Sequence, residues 1–238
     1  MGPTSVRQTC LAYEPSVSIA LFIDAGYVRR CAARRCEIVY GSPIQASRVS
    51  IDAGRISSWL DSLIVDFDLQ ASPHREGSRP GRRLYDTVRD DRRQRWRQPH
   101  YRSVLKAEGF VLRTLRAPWR PGKPERLADA RDDCEVVEAA LADDLMCLSD
   151  GLRTVVLLAG GEQAASAVWA ARERGAEVVL LVPAGCGALV AEGLRDAATR
   201  AIGVHPEVFE ALFEVREARR RRADARHSRR PARVGAVC

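Results

Sequence analysis

The chain has 238 residues, a formal net charge of +7 and 46% hydrophobic residues, an ordinary content for a soluble protein with one sizeable core plus appendages. No run is long and apolar enough for a transmembrane helix, and residues 1–15 lack the apolar stretch of a signal peptide, so no membrane contact and a cytoplasmic location are expected. Almost all the basic residues are arginine, which suits bidentate contact with phosphate but also fits codon bias.

Taken in chain order, 1–15 reads as a loose arm. Residues 17–23 form a short, mostly apolar run that ends on Asp24 and is followed by Ala25-Gly26. Its length and continuous apolarity predict a strand buried on both faces, as in a parallel sheet. Asp24 then falls at the carboxyl end of the strand, where ligands of open α/β sheets bind. It is equally readable as a metal ligand or as the cap of the next helix. That helix is expected over 27–38, carrying Arg29, Arg30, Arg34 and Arg35.

Residues 52–66 place Ile56, Trp59, Leu60, Leu63 and Ile64 on one helical face, a core stripe. A polar loop is expected over 70–81 and a weaker strand over 82–86. Residues 89–102 are densely basic and hold Trp96, His100 and Tyr101. Arg89, Arg92, Arg93, Arg95, Trp96 and Arg97 are candidate nucleic-acid contacts, by charge and by stacking on bases. A solvated helix face is the plainer reading of the same segment. A helix over 101–108, a strand over 110–115 and a Pro-rich loop over 117–124 follow.

Residues 134–148 form a helix with an apolar face of Val137, Ala140, Leu141, Leu145 and Leu148. Its Glu138 and Asp144 lie six residues apart, so one straight helix does not put both at one level on the same side, though they can still meet a common site if the helix runs past it with Glu138 near its amino end. The run 154–158, the turn Ala159-Gly160-Gly161-Glu162-Gln163, a helix over 164–174 and a strand over 177–182 make a βαβ unit. The Gly160-Gly161 turn is either a plain tight turn or an anion cradle at a helix start. Helices are expected over 189–201 and 205–222. From 216 onward arginines dominate, which predicts a disordered tail with salt-sensitive affinity for nucleic acid. The seven cysteines and four histidines match no zinc spacing, and the cysteines read as free thiols.

The Ile-Asp-Ala-Gly-Tyr strand end, the Tyr-Asp strand end, the acidic helix Val-Glu-Ala-Ala-Leu-Ala-Asp-Asp-Leu and the Val-Val-Leu-Leu-Ala-Gly-Gly-Glu-Gln turn come in an order that resembles the NYN domain, in its bacterial LabA-like branch. The resemblance covers about residues 16–200, with 66–130 poorly matched. It implies a PIN-like three-layer α/β/α sandwich with a central parallel sheet over 16–215, a partly irregular basic insertion at 66–102 and a tail at 216–238. It also implies metal-dependent RNA cleavage by carboxylates clustered at strand ends, with Mg²⁺ or Mn²⁺ as cofactor. On that basis Asp24, Glu138 and Asp144 are the expected catalytic residues, and Asp24, Glu138, Asp144 and Glu162 the expected metal ligands.

The match is uneven. Glu138 stands where the family has Asp. The family's Ser-Gly-Asp-x-Asp reads Ala159-Gly160-Gly161-Glu162-Gln163 here, so both of its aspartates are missing. Such ions generate a nucleophile from bound water and stabilise the leaving oxyanion, and loss of acids weakens their hold. The chain is therefore expected to be a metal-dependent endoribonuclease with a partly eroded site. The alternative is a catalytically inactive NYN module that binds RNA or a protein partner; self-association is a further option. What separates the two is whether the four acids meet in space.

Overall fold

The structure, a computed structural model, describes residues 19–41, 46, 49–66, 81–88, 98–116, 130–149 and 151–215. The expected arm 1–15, the loop residues 70–80, the basic residues Arg89, Arg92, Arg93, Arg95, Trp96 and Arg97, the loop 117–124 and the tail 216–238 lie outside them.

The first apolar run is strand β1 (Ile19–Asp24), with all six residues buried. It continues directly into α1 (Ala25–Tyr40), which stops at Gly41, whose positive φ of 65° suits glycine. After β2 (Val49–Ile51), α2 (Ala53–Asp66) turns Ile56 and Trp59 into the core as its apolar stripe predicts. Strand β3 (Gly81–Val88), α3 (Gln98–Ala107) and β4 (Phe110–Arg116) follow, then the long α4 (Ala130–Leu148). The expected βαβ unit is β5 (Thr154–Leu158), α5 (Ala164–Glu173) and β6 (Glu177–Pro183).

Six strands form one parallel sheet in the order β4-β3-β1-β5-β6-β7, where β7 is Arg200–Val204. Helices cover it to give the three-layer α/β/α arrangement, with α4, α5 and α6 (Glu192–Ala197) packed in sequence beside one another. Buried Ala164, Ala165, Ala167 and Ala171 on α5 keep its packed face small, which permits close approach. Among the described residues no helix is long and apolar enough to cross a membrane.

Counting only the strands of this sheet, the order is 3-2-1-4-5-6. The chain adds strands on one side of β1, then returns and adds the rest on the other. The connections above β1 and β5 therefore diverge and leave a crevice at the carboxyl edge of the sheet, the place where doubly wound folds bind ligands. Asp24 ends β1 and the Gly160-Gly161 turn follows β5, so both flank that crevice.

Two expected helices come out differently. Residues 189–201 contain the end of a 3₁₀ turn (Gly187–Leu189), α6 and the start of β7. β7 is an edge strand with mostly exposed residues, so its sequence carries no buried strand signature. Within 205–222, α7 (Pro206–Ala211) is followed by β8 (Phe213–Val215), which pairs antiparallel with β2. That pairing joins segments more than 150 residues apart and leaves no local trace.

Candidate functional site

Asp24 is fully buried. Its Oδ1 accepts a hydrogen bond from the Gly26 backbone N–H at 2.7 Å, so it caps α1, as one of its two readings requires. Its Oδ2 faces Arg30 Nη2 at 3.5 Å. Burial pushes the Asp24 carboxyl above the ordinary carboxylate range, and the positive charge of Arg30 and the Tyr27 and Gly26 N–H groups pull it back in part.

Glu138 arrives from α4 and is buried. Burial, with the charge of Asp24 adding to it, pushes its pKa up to about 7, while Arg30 and a hydrogen bond from the Gln163 backbone N–H act in the opposite direction. The carboxyl group lies against Gly161: a Cβ at that position would overlap it. Glycine is needed at Gly160 for a related reason, since a Cβ there would come 2.6 Å from the Tyr27 ring and collide with the Leu189 carbonyl. The two glycines thus serve close packing, with the Gly160 carbonyl accepting from the Ala191 N–H at 2.8 Å.

Asp144 has different neighbours. The Tyr85 hydroxyl donates to it at 2.8 Å, Arg113 Nη1 donates to its other oxygen, and Arg83 Nη1 stands at 3.7 Å. Against the expectation of a shared site, the six residues along α4 carry it to a separate cluster over β3 and β4, where Tyr85, Arg83 and Arg113 engage it. Glu162 is exposed and leans over α6, where a Cβ at Gly193 would come 2.9 Å from its Cδ. The structure therefore brings Asp24 and Glu138 together and gives Asp144 and Glu162 other surroundings. Among the described residues, no three His, Cys, Asp or Glu side chains form a group that could hold a metal ion.

Arg30 is the site residue that sequence reasoning missed. Besides facing Asp24 it donates from Nη1 to Cys134 Sγ, at the start of the described part of α4's packed surface. The available signal was its place six residues after Asp24 on a helix that begins at the strand end. Beside it, Arg29 makes two hydrogen bonds to the carboxylate of Asp86 on β3, at 2.7 and 2.6 Å. This ties α1 to β3.

No protein-family model matches this chain, and no curated protein matches it either. The site must therefore be judged on its own chemistry. A divalent ion such as Mg²⁺ needs ionised oxygen ligands with free lone pairs. Here Asp24 gives one oxygen to the cap of α1 and sets the other toward the Arg30 guanidinium, while Asp144 and Glu162 have other partners and surroundings. This donor set does not fit Mg²⁺ or Mn²⁺. What the pair can do is hold a proton near neutral pH on Glu138, beside the ion pair of Asp24 with Arg30.

Proposed function

We propose that this chain is an NYN-type, nuclease-derived module that binds RNA without metal-dependent cleavage. The observation that carries the reading is the engagement of the four expected acids. Asp24 faces Arg30, Glu138 fills the space beside Gly161, Asp144 is tied to Tyr85 and Arg113, and Glu162 lies over Gly193. Among the described residues, an RNA phosphate approaching the crevice meets no open carboxylate cluster. The RNA-binding part is supported by the net charge of +7 and by the route of the chain: β3 ends at Val88 on the same edge of the sheet as Asp24, and the basic segment begins at Arg89. Phosphate contacts by arginine supply sequence-independent affinity there.

The test uses the full chain and labelled single-stranded RNA, read by fluorescence anisotropy across a salt series and by gel after incubation with Mn²⁺. Binding that weakens linearly in log–log form with salt, with intact RNA, is expected. Absence of binding would leave a protein-interaction domain. A second reading, a metal-dependent endoribonuclease with an altered site, is favoured by one observation: Asp24 and Glu138 are near enough at the crevice for the charge of one to act on the other. Mn²⁺-dependent cleavage that Asp24→Ala abolishes would establish that reading in place of the first.

A further inference from the structure

At the carboxyl ends of β1 and β5 a cation already stands beside Asp24. Arg30 projects from the second turn of α1 and folds back over the helix start. Its Nη1 lies 3.3 Å from where a Cβ on Gly26 would stand, and its Nη2 lies 3.5 Å from Asp24 Oδ2. The guanidinium has one further partner: Nη1 donates to Cys134 on α4. Glu138 stands over Gly161, with the Gln163 N–H donating to its carboxyl group and the Arg30 charge acting on it.

We propose that Arg30 is the resident cation of this pocket, its guanidinium standing beside Asp24 and Glu138 in the place a divalent ion takes where carboxylates gather to bind metal. The inference rests on the nuclease-derived reading of the pocket. A guanidinium balances charge and donates hydrogen bonds, but it stays protonated and has no vacant orbital with which to polarise water. The exchange keeps the buried carboxylate neutralised and the fold intact while removing the means of activating a nucleophile. It also makes the site independent of metal supply.

The test is thermal unfolding of the full chain with and without Mn²⁺. Wild type is expected to melt at the same temperature in both. Arg30→Ala is expected to melt lower than wild type without metal, because Asp24 loses its partner. In Mn²⁺ it is expected to regain stability in proportion to the logarithm of the ion concentration, reversed by chelator. Adding Asp24→Asn to Arg30→Ala should abolish that response. A merely structural arginine would lower the melting temperature with no metal response. Should Arg30→Ala fail to fold, Arg30→Gln removes the charge and keeps a hydrogen-bond donor toward Asp24. A Mn²⁺-dependent rise in wild type, or none in the folded Arg30 variants, would overturn the proposal. Wild-type stabilisation by Mn²⁺ alongside intact RNA binding would sink the Arg30 assignment alone. Loss of RNA binding with wild type unresponsive to Mn²⁺ would sink the RNA reading and support the Arg30 assignment.

Discussion

The carboxyl group of Glu138 occupies the space into which any side chain at Gly161 would grow. The glycine in the turn after β5 and the acid on α4 are therefore one packing unit. Gly161→Ala should force Glu138 out of its position and destabilise the fold by about 1–3 kcal/mol. In the double variant Glu138→Ala/Gly161→Ala the added methyl has room, so its cost should largely vanish. Urea unfolding of the four chains in a double-mutant cycle measures the coupling; additive effects would show that the two positions do not share space.

The same burial makes stability depend on pH. Glu138 binds its proton more tightly folded than unfolded: its pKa rises from the ordinary 4.5 to about 7. Between those values the folded state carries more protons, so stability falls as pH rises through that window and levels off above it. The loss at full ionisation is on the order of 3 kcal/mol. Asp24, also raised, contributes in the same direction. Denaturation midpoints should rise on acidification from about pH 7.5 to about pH 5, and Glu138→Gln should flatten that slope.

Asp24 is both a helix cap and the partner of Arg30. Asparagine retains an oxygen for the Gly26 N–H and loses only the charge, so Asp24→Asn should keep the fold with a small change in stability. Asp24→Ala removes the cap as well and should cost about 1–2 kcal/mol more. Circular dichroism melts of the two variants make the comparison. Equal melting temperatures would mean the cap contributes nothing.

Asp144 accepts from a buried tyrosine hydroxyl and from Arg113. Asp144→Ala strands the Tyr85 hydroxyl in the core and should destabilise by about 2–3 kcal/mol. Asp144→Asn leaves an acceptor in place and should cost less. Neither should change RNA affinity, as read by anisotropy. A variant of normal stability and lost RNA binding would instead place Asp144 in the binding surface.

Several parts of this protein were readable without coordinates. The buried runs of β1 and β5, the helix starting at Asp24 and the β5–α5–β6 unit are written in continuous apolar stretches and in glycine positions, all of which are local. The spacing of Glu138 and Asp144 was local too, but it left a shared site open; the partners that Asp144 finds on β3 and β4 are what separate them. Strands β7, β8 and β2 were not readable: β2 and β8 have three residues each, β7 is a mostly exposed edge strand, and pairing partners rather than composition make them strands.

The sequence by itself determined the α/β class, the place of Asp24 at a strand end and the absence of two aspartates that the family resemblance calls for. Tertiary structure alone decided the strand order, and with it that the ends of β1 and β5 border one crevice. It also decided that Glu138 meets Asp24 there while Arg30 supplies the positive charge. The reason is physical. Local pattern fixes which atoms are buried, but which buried charges face one another depends on how distant segments pack, and the cost of burying a charge alone then selects the partner.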